Sequence, residues 1–375
     1  MLIGFDAKRF FSNFTGLGNY SRFVVDALSK GYPEESYSLF APRIKSHPEY
    51  DHILSRPNVQ AIGPSGIEKA VRSLWRSVLV SQEPAVQKLD IFHGLSQEIP
   101  LYLPSKVKTV VTVHDLIFFR YPQYYNPIDV AIYKAKVLSA CRRADLIIAI
   151  SEQTADDVAH FLKVSRTKIR VVYQGCHPSF RTMPSAGQRA AIKSAYKLPD
   201  RYILNVGTVE TRKNLALLVK ALPLLSPDCR LKLVVVGRST KYKDFVLRIA
   251  RDLGVVDELV FLENVSFAHL PTIYQMAEVF VYPSEFEGFG IPIVEAIESG
   301  IPVIAATGSC LEEAGGPDSC YVDPQDHGQL ASCLNQVLSD EDLRQRMTGR
   351  SAQYVKKFLP TSIASDLFRE YSALL

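Results

Sequence analysis

Residues 277–306, AEVFVYPSEFEGFGIPIVEAIESGIPVIAA, run from one apolar strand pattern through a glycine turn and a helix pattern into a second strand pattern. VFVYP and IPVIAA are the short apolar, β-branched runs of strands buried on both faces. Between them Gly288, Phe289 and Gly290 make a turn, Pro292 stands near a helix start, and Gly300 closes IVEAIESG. Strand, turn, helix and strand in this order form the repeating unit of a parallel α/β sheet. The turn presents backbone N–H groups at a helix N-terminus, which favours phosphate. Yet glutamates stand at 285, 287, 295 and 298 around it. A carboxylate repels phosphate but accepts hydrogen bonds from paired hydroxyls, so a sugar or ribose beside a phosphate suits Glu287 and Glu295. The plain structural alternative is that Glu287 offsets the helix dipole and Glu295 faces solvent.

The same rhythm extends in both directions. In the first half LIGFDA, YSLFAP, NVQAIG, LDIFHGL, KTVVTVHDL, ADLIIAIS and KIRVVYQG read as strands, with helix patterns such as NYSRFVVDALSKG and DVAIYKAKVLSACRRA between several of them. Prolines and small polar residues interrupt the pattern at 178–200, after which YILNVGT, LKLVVVG and LVFLEN resume it. We expect an α/β protein of two Rossmann-like modules: residues 1–180, a linker at 181–200, a second module at 201–358, and a terminal helix at 359–375. In open α/β sheets ligands sit beyond the carboxyl ends of the strands, so two such modules facing each other make a cleft.

Composition narrows the function classes. The chain has 375 residues, 47% of them hydrophobic and 22% charged, as in ordinary globular proteins. A net charge of +4 is too small to imply nucleic acid. No apolar run reaches the roughly 18–20 residues of a membrane span, and MLIGFDAKRFF does not read as a signal peptide. The six cysteines show no CxxC pairing and read as free thiols of a reducing cytoplasm.

Other constellations suggest chemistry. In NVGTVETRKNL a strand ends at Gly207 and a loop carries Arg212 and Lys213 to a helix start, a placement suited to a diphosphate. Gly16 and Gly18 of FTGLGNYSRF fall between the first strand and the first helix, without the third glycine of a dinucleotide fingerprint. His114 and Asp115 end a strongly apolar strand, and His93 holds a similar but weaker position. In IEKAVRSLWRSVLV, Lys69, Arg72 and Arg76 read as a solvated basic side opposite Val71, Leu74, Trp75 and Val78, with a membrane surface as the second reading. SDEDL at 339–343 has Asp-x-Asp spacing but reads as a helix start capped by Ser339.

Together EGFGIPIVE, with seven residues between Glu287 and Glu295, GTVETRKN and GLGNYS resemble the retaining, nucleotide-sugar-dependent glycosyltransferases of family 4. The likeness spans nearly the whole chain and is closest to bacterial mannosyltransferases of surface-polysaccharide synthesis. It implies the GT-B fold, with the terminal helix returning to the first domain. It implies a cytoplasmic hexosyltransferase, moving mannose from GDP-mannose before other sugars, to a glycan or lipid-linked acceptor, with peripheral contact at the inner membrane face. Arg212 and Lys213 would neutralise the donor diphosphate, and backbone groups of Gly288, Phe289 and Gly290 would hold sugar and phosphate. Glu287 would bind a sugar hydroxyl, Glu295 the ribose, and His114 would lie by the reacting carbon. Gly16 and Gly18 would let the first-domain loop approach the donor, Gly207 would shape its site, and Val265 would sit near the base. No metal or other cofactor is implied. A nucleotide-sugar epimerase or hydrolase on the same fold, or a non-catalytic binding protein, would carry the same motifs.

Overall fold

The computed structural model describes residues 1–66 and 71–375. The chain divides into a first unit, residues 1–175 with 358–375, and a second, residues 176–357. The segment expected as a linker, 181–200, belongs to the second unit and carries the helix Ala186–Tyr196. A capping box between Ser185 and Gln188 starts that helix, and only Ile192 of it is buried, which is why its apolar pattern was too thin to read.

The first unit is a seven-stranded parallel sheet of β1 (Leu2–Asp6), β2 (Ser36–Phe40), β3 (Val59–Ile62), β4 (Ile91–Gly94), β5 (Lys108–Val113), β6 (Leu146–Ala149) and β7 (Ile169–Val171), in the order β3-β2-β1-β4-β5-β6-β7. The second is a six-stranded parallel sheet of β8 (Tyr202–Val206), β9 (Lys232–Val236), β10 (Leu259–Leu262), β11 (Val279–Tyr282), β12 (Val303–Ala306) and β13 (Cys320–Val322), in the order β10-β9-β8-β11-β12-β13. Every strand read from the sequence is present. β13 went unread because CYV stands between Ser319 and Asp323 without the β-branched run that marks the equally short β7. The following helices, His327–Ser339 and Glu341–Tyr354, are separated by Asp340, whose carboxylate accepts from the Leu343 amide at 2.8 Å. Ser339 ends the earlier helix, so Asp340 replaces it as the cap.

The last helix, Pro360–Ser372, packs on Gly16–Gly31 within the first unit. Phe368 stacks on Tyr32 at 3.7 Å between ring centres. Deeper in, the Tyr371 hydroxyl meets His93 Nδ1 at 2.6 Å, and His93 Nε2 meets Thr112 at 2.8 Å. His93 is wholly buried, with its pKa lowered by burial to about 3, and thus ties the returning helix to β4 and β5 as a neutral ring.

The basic helix departs from expectation. Lys69 lies outside the described residues. Over Arg72–Ser77, Trp75 is in the core, but Val71 and Leu74 are exposed. Arg76 turns inward, 2.6 Å from Asp6 and 2.5 Å from Glu98. Pairing with the carboxylate that ends β1 outweighs exposure to solvent, so the solvated basic side does not form as read. No helix among the described residues is long and apolar enough to cross a membrane. The six cysteines are free; Cys141, Cys176, Cys229 and Cys310 are buried.

Candidate active site

Strand order in the second unit locates the site. From β8 the chain moves outward to β9 and β10, then returns to place β11 on the other side of β8. The carboxyl ends of β8 and β11 are therefore the topological switch point, where open α/β sheets bind ligands. The two loops leaving that point carry Arg212–Lys213 and Glu287–Gly290.

Backbone bonds join these loops. The Arg212 carbonyl accepts from the Glu285 amide at 2.9 Å and from the Ser284 hydroxyl at 3.2 Å. Gly207, at φ +149°, takes the β8 loop close against its neighbour: a Cβ on Gly237 would stand 2.0 Å from the Gly207 carbonyl oxygen. Asn214, at φ +54°, then starts the helix Leu215–Ala221 and donates to the Pro324 carbonyl at 2.8 Å.

The charged side chains converge on a single oxygen. Glu287 Oε1 accepts from Lys213 Nζ at 2.5 Å, Arg212 Nη1 at 2.8 Å, the Ser284 hydroxyl at 2.5 Å and the Tyr282 hydroxyl at 3.2 Å. Arg212 also donates to the Phe286 carbonyl at 2.6 Å and to Glu210 at 2.7 Å. Burial alone would raise the pKa of Glu287, but Lys213 and Arg212 outweigh it and hold the group at about 2. Burial likewise opposes the charge of Arg212, and Glu287 with Glu210 more than restores it. The site thus holds a preformed ion cluster of two cations on one carboxylate.

Behind the cluster, the Phe289 side chain is buried, so only its backbone faces the turn. Gly290 has φ +109°, and a Cβ there would stand 2.9 Å from Leu311. The backbone angle requires glycine, and the Leu311 methyl adds to the crowding. The helix Ile291–Glu298 begins at this point; Pro292 brings no N–H to its first turn, and the Ile293 amide donates to the Gly290 carbonyl at 2.9 Å. Glu295, on the same helix, accepts from the Tyr274 hydroxyl at 2.9 Å. Burial pushes its pKa up to about 7, against the lowering effect of that bond. Two glutamates of one motif therefore differ in charge: Glu287 is fixed as an anion, and Glu295 titrates near neutrality.

This difference can be measured. The folded pKa of Glu295 lies above its ordinary 4.5, so its contribution to stability is present below about 4.5 and lost as pH rises through 7. Glu295→Gln is expected to raise the urea midpoint of the unliganded protein at pH 8 and leave it nearly unchanged at pH 4.5. A difference that does not vary with pH would show that Glu295 titrates in the ordinary range.

Of the residues singled out in the sequence, Gly207, Arg212, Lys213, Glu287, Gly288, Phe289 and Gly290 meet at the switch point of the second unit, with Glu295 on the adjoining helix. Val265 lies in the loop after β10, the outermost strand on that side, two strands from the switch. His114, Gly16 and Gly18 belong to the first unit. His114 is buried at the end of β5 and donates from Nε2 to the Leu95 carbonyl at 2.9 Å, edge-on to Tyr20. Burial lowers its pKa to about 4, so the ring is neutral with Nδ1 as its acceptor side. Gly16 and Gly18 lie in the first turn of the helix Gly16–Gly31. A Cβ at Gly18 would stand 1.7 Å from the Asn13 carbonyl oxygen, while nothing lies near one at Gly16. Sequence reasoning passed over Tyr282, Ser284, Glu210 and Tyr274. Tyr282 reads as one more apolar residue of β11, although a hydroxyl at a strand's carboxyl end was a usable signal.

The sequence matches the model of Glycosyltransferase Family 4 over residues 23–180 and that of Glycosyl transferases group 1 over residues 188–354. Together these spans cover well over half of the chain. It is a family 4 glycosyltransferase.

Among its relatives, the O-antigen chain mannosyltransferase B of Escherichia coli is 28% identical over 76% of this chain and 74% of its own. The O-antigen chain mannosyltransferase RfbU of Salmonella typhimurium is 29% identical over 67% of each chain. The Escherichia coli serotype-specific mannosyltransferase WbdA is a longer protein, of which the match spans 37% at 25% identity. Among solved structures, Anabaena HepE in complex with UDP and glucose superposes with a TM-score of 0.74 at 16% identity over the whole of both chains. That likeness establishes the GT-B fold of this family 4 glycosyltransferase.

Proposed function

We propose that the enzyme transfers a hexose, mannose before others, from a nucleotide diphosphate sugar to a glycan or lipid-linked acceptor with retention of configuration. The observation that carries this reading is the ion cluster of Arg212, Lys213 and Glu287 at the switch point. Breaking a sugar–phosphate bond leaves negative charge on the diphosphate, and preorganised cations there stabilise it as it forms. Arg212 and Lys213, with backbone groups of the turn Gly288, Phe289 and Gly290, are assigned that role. A nucleotide diphosphate entering the site competes with Glu287 for the two cations, which frees Glu287 to accept from a sugar hydroxyl.

The choice of mannose and of a polysaccharide acceptor is supported by the relatives, two of which are named O-antigen mannosyltransferases. The choice of a nucleotide-sugar donor is supported by HepE, solved with UDP and with UDP-glucose. GDP-mannose is the first donor to test. Glu295 is assigned to the ribose hydroxyls, the loop of Val265 to the base, and His114, with the loop of Gly16 and Gly18, to the sugar and acceptor side. For retention we favour attack by the acceptor on the face the diphosphate leaves, with the leaving phosphate taking the acceptor proton. A double displacement would instead require a carboxylate as nucleophile, and Glu287 is assigned to a sugar hydroxyl. The two cations supply the charge that a metal would otherwise bring, so turnover is expected to survive chelation. The reaction is placed in the cytoplasm, at the inner membrane face where the acceptor is lipid-linked.

Thermal denaturation with a panel of nucleoside diphosphates and their sugars tests the assignment. A donor at 100 times its dissociation constant stabilises the fold by about 2.7 kcal/mol. GDP and GDP-mannose are expected to give the largest shifts, and the product with a mannan acceptor is expected to keep the donor's anomeric configuration. Equal, negligible shifts across the panel would overturn the donor site. Larger shifts with another nucleotide would reassign the base.

A further inference from the structure

A second charged cluster stands at the switch point of the first unit, between β1 and β4, and the donor chemistry does not use it. Asp6 ends β1, is 4% exposed, and pairs with Arg76. Arg76 also holds Glu98, which in turn accepts from Lys136 at 3.3 Å. These two carboxylates and two cations balance. Lys8 and Arg9 follow directly in the chain, both only partly exposed. Among the described residues neither side chain enters an ion pair or a hydrogen bond. Burial, then Arg76, then Arg9, lowers the pKa of Lys8 against the opposing pull of Glu98 and Asp6, and Arg9 adds to the effect of burial on His114. Both cations therefore sit in a crowded corner with an excess of positive charge, and Arg9 lies towards the neutral ring of His114.

The backbone that carries them is held firmly. Phe10 and Phe11 are in the core, and Arg22 donates to the carbonyls of Phe10 and Asn13, each at 2.9 Å. The close approach of Gly18 to Asn13 locks the following turn. Asp6 and Glu98 are thus two carboxylates among four cations, and the half-buried positive charge left over is unfavourable unless an anion from outside completes it. An arginine fork next to an ammonium matches a doubly charged tetrahedral oxyanion better than a single carboxylate.

We propose that Lys8 and Arg9 form an anion subsite for the acceptor, and that the acceptor presents a phosphoryl group there, beside His114. The proposal rests on the glycosyltransferase reading above, in which the donor diphosphate belongs to Arg212 and Lys213.

The test uses the full chain saturated with GDP, or with whichever nucleoside diphosphate shifts it most, titrated with inorganic phosphate by calorimetry. Phosphate is expected to bind with the nucleotide in place. Lys8→Ala with Arg9→Ala is expected to weaken phosphate binding at least about tenfold, as the loss of a charge-assisted pair implies. Lys8→Arg with Arg9→Lys is expected to keep it within about threefold. Arg212→Ala should weaken nucleotide binding and leave phosphate binding intact. The double alanine variant is expected to unfold at the parental urea concentration or above, because it removes repulsion and no ion pair. Loss of phosphate binding whenever nucleotide is present would assign the anion to the donor and overturn the proposal. So would phosphate binding indifferent to the double substitution, or a destabilised double variant, which would mark a structural role. If no nucleotide binds, the donor reading fails separately, and titration of the unliganded chain still decides the role of Lys8 and Arg9.

Discussion

Glu287→Ala is expected to lower the stability of the unliganded protein by about 3 kcal/mol at pH 7, the usual cost of leaving a buried ion pair without one partner. Arg212 and Lys213 are both largely buried and share one Glu287 oxygen, so its removal strands two cations at once. The pH dependence follows from the same geometry. The folded pKa of Glu287, about 2, lies below its ordinary 4.5. Its stabilising contribution is therefore full above about 4.5 and lost as pH falls through 2, on the order of 3 kcal/mol in all. Urea denaturation of parent and variant from pH 7 to pH 3 should show the gap narrowing below about pH 4.5, where the unfolded parental chain takes up a proton at this carboxylate and the folded chain does not. Adding Lys213→Ala to the variant is expected to recover part of the loss, since the stranded charge goes with it. Equal urea midpoints at pH 7 would mean that the cluster is not an ion pair in solution.

Arg212→Ala is expected to lower kcat by about 10²–10³-fold, the usual effect of removing one preorganised donor from a developing negative charge. The effect should fall on kcat more than on KM, because the leaving diphosphate gains charge as the sugar departs. Arg212→Lys is expected to recover only part of the rate. An ammonium can supply the charge but not the fork that spans the Phe286 carbonyl, Glu210 and Glu287. Steady-state rates with GDP-mannose, or with the donor that the denaturation panel selects, measure the split. A variant with parental kcat would remove Arg212 from the leaving-group role. A change in KM alone would make it a ground-state binding residue.

The strands were legible because each is a short apolar run bounded by turn residues, and burial on both faces of a parallel sheet requires that composition. The helix Ala186–Tyr196 was not, because a single buried residue on an otherwise polar helix leaves no periodic trace. Arg76 was misread for a related reason. Nothing local distinguishes a solvated arginine from one that folds back seventy residues to meet Asp6.

Local patterns in the sequence were sufficient to determine two parallel αβ units, the glycine turn before Ile291–Glu298, and the residue types gathered around it. They could not determine that Glu287, Arg212 and Lys213 share one oxygen, nor that Glu295 titrates about five pH units above Glu287. Charge state depends on burial and on neighbours brought close by strand order, and β8 lies beside β11 only once the sheet has formed. The same holds for Lys8 and Arg9: only the folded first unit shows Asp6 already committed to Arg76, with two cations left beside it.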